Sequence, residues 1–92
     1  MTQVINNRVP KLPTDVYIGR PGMWGNPFKL GIDGNRDEVC EKHLHWLYNS
    51  QDYRAEWQRN HIEELRGHRL QCYCAPLRCH GDNYVQYLGG EK

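Results

Sequence analysis

The sequence lacks any long apolar run, and nothing in it approaches the ~18 consecutive apolar residues that a membrane-spanning helix needs. Its N-terminal segment, MTQVINNRVP, also lacks the apolar core of a secretory signal peptide. A basic excess is missing as well, since twelve Lys and Arg are set against eleven Asp and Glu. Nonspecific binding to duplex DNA depends on such an excess, because protein cations displace counterions from the phosphates. We therefore expect a cytoplasmic protein with no membrane partner, and only a local basic groove leaves nucleic acid open as a partner.

Cysteine is scarce, and its four copies are unevenly placed. In a secreted mini-protein four cysteines indicate two disulfides, but without an export signal they indicate thiols, metal ligands or core residues. Cys72, Cys74 and Cys79 are clustered, which favours a local site, whereas Cys40 stands apart and is expected in the core. A chain of this length fits one domain, residues 1–92, and buries only about 60–65% of its unfolded surface, so a bound metal would add useful stability.

Two segments have the residue pattern of strands. Residues 15–18 carry β-branched and aromatic side chains, which predicts a buried strand, whereas residues 4–5 form only a short apolar patch. In residues 69–74 the side chains alternate in character, which places Gln71 and Tyr73 on the face opposite to the apolar residues.

Capping residues mark three helices. Asn35 can cap the first helix while Glu38, three residues later, reaches back as in a capping box. Ser50 or Asp52 can cap a second helix, and Asp82 can cap a short last one.

The order of these elements is strand, loop, two helices, strand, loop, helix. It predicts a small single α/β domain with a short, mostly parallel sheet flanked by about three helices. If the two main strands are parallel, the loops that follow them emerge at one carboxyl edge of the sheet, where open α/β sheets bind ligands. These two loops are residues 19–28, the first loop, and residues 75–81, which with their flanking residues form the segment 72–82 that is called the second loop below.

The first loop, residues 19–28, holds three glycines and two prolines. Glycine-rich loops after strands can present several backbone N–H groups to phosphate. Arg20 adds a planar donor fork and Trp24 a stacking face, which suit a nucleotide, although the pattern matches neither GxGxxG nor the Walker loop. The alternative is a rigid turn in which Trp24 and Phe28 are core aromatics. Together with one residue of the second loop, the ligand-binding candidates are Gly19, Arg20, Trp24, Gly25, Asn26 and Tyr73.

The second loop carries a possible zinc set. Cys72, Cys74, Cys79 and His80 supply three sulfurs and an imidazole, the donors of a tetrahedral zinc site. Their spacing argues against that interpretation, because structural sites usually separate two ligand pairs by a dozen or more residues. Zinc is therefore a candidate cofactor, and the neighbours Cys79 and His80 would both have to reach the ion through a sharp bend.

The same loop also permits catalysis. Cys79 precedes a helix and lies beside an imidazole, and both features lower the pKa of a thiol. His80 can act as an acid or a base, and Asp82 can orient it or bind a ribose hydroxyl. The alternative role of Asp82 is that of a helix cap, and the two roles are compatible.

Four short motifs resemble a known family. The letters DVYIGR (residues 15–20) and WGNPF (24–28), followed by CYC (72–74) and CHGD (79–82), resemble the signature of the DUF4326 family over nearly the whole chain. Members look like short phage and bacterial proteins, so the resemblance implies a phage or bacterial origin, a host cytoplasm if phage-encoded, and no particular substrate. Tyr73 stands where the family often has Trp, and an aromatic stacking role survives that exchange.

These observations support three hypotheses. The first is a domain that binds a nucleotide-like or phosphorylated small molecule between the two loops, with enzymatic activity on it left open. The second is a zinc-stabilised interaction module that binds a host or phage protein. The third is a single-stranded nucleic-acid binder that uses Trp24, Tyr73 and arginines as a stacking and charge track. The first hypothesis requires that the two loops lie next to each other in space.

Overall fold

The structure of the protein is a computed structural model that describes residues 2–20 and 22–89. It has the predicted α/β architecture, a short parallel sheet with helices packed on it. A short 3-10 helix, Ile62–Leu65, follows the second α-helix. The remaining elements are β1 (Gln3–Asn6), β2 (Val16–Tyr17), α1 (Arg36–Asn49), α2 (Tyr53–His61), β3 (Arg69–Cys72) and α3 (Gly81–Tyr87).

The sheet has three parallel strands in the order β1-β3-β2. The parallel pairing of the two main strands confirms the prediction, and the short apolar patch at the start of the chain forms the third strand. In the central strand β3, Leu70, Gln71 and Cys72 are all buried. Gln71 is thus buried on the face opposite to Leu70 and Cys72, where its amide donates a hydrogen bond to the Val9 carbonyl.

The helix ends follow the predicted capping in two cases of three. The Asn35 side chain accepts from the Glu38 N–H, and Glu38 accepts from the Asn35 N–H, both at 2.9 Å. Asp52 caps α2 through the Arg54 N–H. The expectation that Asp82 caps α3 is wrong, because α3 begins at Gly81 and Asp82 therefore lies within its first turn. None of the described helices is long and apolar enough to cross a membrane.

The core lies between the sheet and the helices. Ile18 and Leu70 from the sheet side meet Leu47 of α1 and Tyr84 of α3, and all four are fully buried. The ring of Trp24 packs against this cluster, with its centroid 5.3 Å from that of Tyr84.

A buried polar network joins all three helices to the first loop. The His43 Nε2 donates to the Gln58 Oε1 (3.1 Å), and the Gln58 Nε2 donates to the Met23 carbonyl (2.9 Å). The Asn83 amide donates to the His43 Nδ1 (2.9 Å). His43 is therefore neutral with its proton on Nε2, and burial lowers its pKa to about 3. This network fixes the position of the loop relative to the helices.

Candidate functional site

The two loops meet at the carboxyl edge of the sheet, which confirms the adjacency expected from the sequence. The His80 Nε2 lies 2.8 Å from the Ile18 carbonyl and 3.0 Å from the Trp24 carbonyl. The Tyr84 hydroxyl donates to the same Trp24 carbonyl. A cavity with a volume of about 50 Å³ opens beside this junction, and both loops line it.

The cavity is cationic. Arg20, Arg36 and Arg78 line it, and no Asp or Glu among the described residues does so. Arg78 is paired with Asp37 and Glu41 on its outer side. The Arg20 carbonyl accepts from the Tyr17 hydroxyl, but its guanidinium makes no hydrogen bond or ion pair within the described part of the chain, so those donors remain available to a ligand.

Four of the six residues predicted to bind a ligand line the cavity, namely Gly19, Arg20, Asn26 and Tyr73. Trp24 and Gly25 do not. The Trp24 ring packs edge-on against Trp57, at a centroid distance of 4.8 Å, and so has the core role that was the alternative for it. The Gly25 carbonyl accepts from Arg54 at 3.0 Å, so this glycine helps to hold the loop.

Arg36 is the main site residue that the sequence did not reveal. It begins α1, directly after the capping Asn35; its guanidinium donates to the Arg78 carbonyl, and the neighbouring Cys74 thiol raises the pKa of Arg36. Its position after a helix cap gave the only signal, because caps place the first turn of a helix near the preceding loop. A basic residue that is close to the motifs in sequence can still lie outside the cavity: Arg69, for example, forms an ion pair with Asp15.

Three of the four predicted metal ligands come together. The ligand atoms of Cys72, Cys79 and His80 all lie within 4.8 Å of one another, and the three residues are buried. Such a group can hold a metal ion. Cys74 is outside it and half-buried, and burial, opposed by the neighbouring Arg36, raises the pKa of its thiol. Cys40 is buried as expected and also lines the cavity.

The thiol with the lowered pKa is Cys72. A hydrogen bond donated by the Cys79 thiol, assisted by the N–H groups of Cys74 and Ala75 and opposed by burial, lowers the pKa of Cys72 to about 6. The same hydrogen bond, together with burial, raises the pKa of Cys79 well above its usual value. Because the two thiols share this hydrogen bond, the thiolate expected at Cys79 stays a prediction for the pair Cys72 and Cys79.

Backbone carbonyls orient His80. Carbonyl oxygens only accept hydrogen bonds, so the proton of the imidazole lies on Nε2 and the lone pair on Nδ1. Burial lowers the pKa of His80, although these two hydrogen bonds oppose the shift. The lowered pKa keeps the ring neutral. Asp82 is exposed and accepts from the Cys79 N–H at 3.2 Å. Of the predicted catalytic residues, Cys79 and His80 thus line the cavity. Asp82 does not, and its carboxylate instead accepts a hydrogen bond from a backbone N–H.

Fold and site together define a small α/β domain with a cationic, cysteine-containing cavity at the carboxyl edge of a parallel sheet. The chain belongs to the DUF4326 family, because the family model described as "Domain of unknown function (DUF4326)" matches residues 3–89.

Two viral proteins are similar to the chain. The "Uncharacterized 12.4 kDa protein in nrdA-td intergenic region" of Enterobacteria phage T4 is 40% identical over 73 residues, covering 74% of this chain and 61% of that protein. "Uncharacterized protein R718" of Acanthamoeba polyphaga mimivirus is 28% identical over 90 residues, covering 78% and 65%. The chain thus spans less than two thirds of the length of either relative. No solved structure matches it.

Proposed function

We propose that this domain binds an anionic small molecule, nucleotide-like or phosphorylated, in the cavity between the two loops. The observation that carries the proposal is the composition of the cavity wall, with three arginines and no carboxylate from the described residues. Guanidinium groups match phosphate and carboxylate oxygens with two parallel hydrogen bonds. The position at the carboxyl edge of a parallel sheet agrees with the usual location of ligands in open α/β folds.

The size of the cavity divides the ligand into two parts. Its volume is about 50 Å³. A single water needs about 10–15 Å³ by the same measure, so the cavity accepts a phosphate-sized group but not a whole nucleotide. The remainder of the ligand would lie on the rim, where Tyr73 is 58% exposed and Leu30 47% exposed. An exposed aromatic ring beside an anion site suits a nucleobase, because stacking on it contributes about 1–3 kcal/mol.

Binding of nucleoside monophosphates is the test. Calorimetric titration of the reduced, chelator-treated protein with a panel of nucleoside monophosphates should show saturable binding, whereas the matching nucleosides bind more weakly. Arg20→Ala should weaken binding on the order of 10- to 100-fold, the worth of hydrogen bonds to a charged group. Arg66→Ala is the matched control, since Arg66 lies before β3, at the opposite end of that strand from the cavity, and is paired with Glu63. No saturable binding of any of these nucleotides, or an equal loss in both variants, would contradict the proposal.

A zinc-stabilised interaction module is the second candidate, favoured by the proximity of Cys72, Cys79 and His80. In a structural zinc site four protein ligands close around the ion, so this candidate requires Cys74 to turn from Arg36 and complete the set. Folding would then depend on the metal. One zinc per chain, with loss of both zinc and circular-dichroism signal on chelation, is the expected result for the module. A chain that stays folded without metal would argue against it.

The remaining hypotheses receive less support. Binding of single-stranded nucleic acid loses one of the two aromatic rings predicted to stack on bases, because the Trp24 ring packs in the core.

For the location of the protein, we propose the reducing cytoplasm of a host, with which the four free thiols agree.

A further inference from the structure

We propose that Cys72, Cys79 and His80 bind one divalent metal ion of zinc type as an open, three-ligand site whose fourth position faces the cavity. This inference rests on the proposed function in one respect: the group that takes the fourth position is the anionic group of the ligand, or water in its absence. The ligand would therefore be held by metal and arginines together.

The distances fit such a site after a small contraction. Zinc–sulfur and zinc–nitrogen bonds of about 2.3 and 2.0 Å in a tetrahedron place ligand atoms roughly 3.5–3.8 Å apart. The three ligand atoms here all lie within 4.8 Å of one another. Closing the widest possible gap thus needs a movement of about half an ångström by each of two atoms. The two thiolates and the neutral imidazole are also the donor types that zinc prefers.

Hydrogen bonds to the backbone hold the His80 ring and the Cys79 sulfur in place. The His80 Nε2–H donates to the Ile18 and Trp24 carbonyls, which fixes the tautomer and leaves Nδ1 free to bind a metal. The Gly81 N–H donates to the Cys79 sulfur at 3.2 Å. Donors aimed at sulfur stabilise the thiolate that a metal requires.

The close spacing in sequence is accommodated by a turn. The chain bends into α3 at Cys79 and His80, whose carbonyls accept from the N–H groups of Asp82 and Asn83 at 3.0 Å. Gly81 permits this bend close to the sheet, because a Cβ there would lie 2.8 Å from the Ile18 side chain. Neighbouring residues can therefore both contribute ligand atoms, which the sequence spacing alone argued against.

The fourth side of the site is open. No other Cys, His, Asp or Glu within residues 2–20 and 22–89 joins the three ligands, and Cys74 is engaged by Arg36. All three ligands line the cavity. Two thiolates neutralise a divalent ion, and Arg78 is paired with carboxylates, so Arg20 and Arg36 leave the loaded cavity positive and ready for an anion. Three protein ligands and an exchangeable position are the arrangement of zinc sites that act on bound molecules.

Cobalt substitution tests the inference, because the visible bands of Co²⁺ report its coordination number and thiolate ligands. The reduced wild-type chain should bind one Co²⁺, displaced by one Zn²⁺, with a tetrahedral spectrum. Cys72→Ser and Cys79→Ser should lose the stoichiometric ion, whereas Cys74→Ser and Cys40→Ser should keep it. Inorganic phosphate should shift the visible bands of the wild-type complex, since it enters the open position. Circular dichroism of each variant separates loss of metal from loss of fold.

Three results would overturn the inference. The first is a wild-type chain that binds no stoichiometric metal. The second is an equal loss of metal in Cys74→Ser and Cys72→Ser. The third is a set of visible Co²⁺ bands that neither phosphate nor nucleoside monophosphates shift. If Cys72→Ser or Cys79→Ser fails to fold, the phosphate shift in the wild-type complex decides. A chain that binds nucleotide but no stoichiometric metal would refute this inference alone, and a metal site that phosphate reaches, with no nucleotide binding, would refute the proposed function alone.

Discussion

Gln58→Leu is expected to lower the free energy of unfolding by about 2–5 kcal/mol and to loosen the first loop. The Gln58 amide is fully buried, accepts from His43 and donates to the Met23 carbonyl. Leucine of similar size fills the space but leaves the His43 N–H and the Met23 carbonyl without partners. Each buried polar group left unsatisfied costs about 1–3 kcal/mol. Urea denaturation followed by tryptophan fluorescence measures the change.

Gln86→Leu is the matched control, because Gln86 is exposed on α3. Its effect should stay within about 0.5 kcal/mol, as for most surface substitutions. Since the network holds the loop that forms one cavity wall, Gln58→Leu should also weaken binding of nucleoside monophosphates. Equal stability of the two variants would mean that the buried network does not hold the loop.

Acid is expected to destabilise the protein in the pH range where exposed histidines become protonated. In the folded state His43 has a pKa of about 3, mainly because of its burial and secondly because of His80, against an ordinary value of 6.5. Between these values the unfolded chain binds a proton that the folded chain cannot accept. The stability contributed by neutral His43 is therefore complete above pH 6.5 and is lost as the pH falls toward 3, by about 1.4 kcal/mol per pH unit. The lowered pKa of His80 acts in the same direction.

Urea denaturation at a series of pH values from 7.5 to 4.5 tests this expectation. His45→Gln, at an exposed position of α1, should leave the slope unchanged, whereas His43→Gln should reduce it by about one proton per chain. Nitrogen NMR shifts of the imidazole give an independent measurement, in which His43 should remain neutral with its proton on Nε2 throughout. A free energy of unfolding that is flat over this range would contradict the account.

Local signals predicted the elements well. The pairing of Asn35 with Glu38 involves residues three apart, so the sequence alone contains the whole capping box. The parallel sheet followed from the order of the elements, because a helical crossover returns the chain in the same direction. The cap at Asp82 failed because its carboxylate turns back to the Cys79 N–H, and a cap preference does not determine which of several nearby N–H groups it meets.

Tertiary packing determined what local signals could not. Gln71 is buried beside the segment between β1 and β2, where its amide meets the Val9 carbonyl, and the four residues of β3 do not contain that contact. The sequence allowed Trp24 either to bind a ligand or to pack in the core. Its ring packs in the core because it contacts Trp57 and Tyr84, which are far away in sequence. The lowered pKa at Cys72 depends on which thiol donates, and therefore on geometry.

The candidate site was predicted in outline. The meeting of the two loops followed from parallel strands, and it brought Arg20, Tyr73 and His80 to one cavity. Arg36 and the exclusion of Cys74 from the metal group were not predictable. Both depend on the position of the start of α1 across the cavity from the turn after β3.

NMR chemical-shift mapping with a nucleoside monophosphate tests most directly that the two loops form one anion-binding cavity. The account predicts that amide signals of Gly19 and Arg20 and those of Tyr73 and Arg78 shift together along one saturation curve. The corresponding nucleoside should reproduce the shift at Tyr73 only weakly. Shifts confined to one loop, or located on a different face of the domain, would contradict the claim.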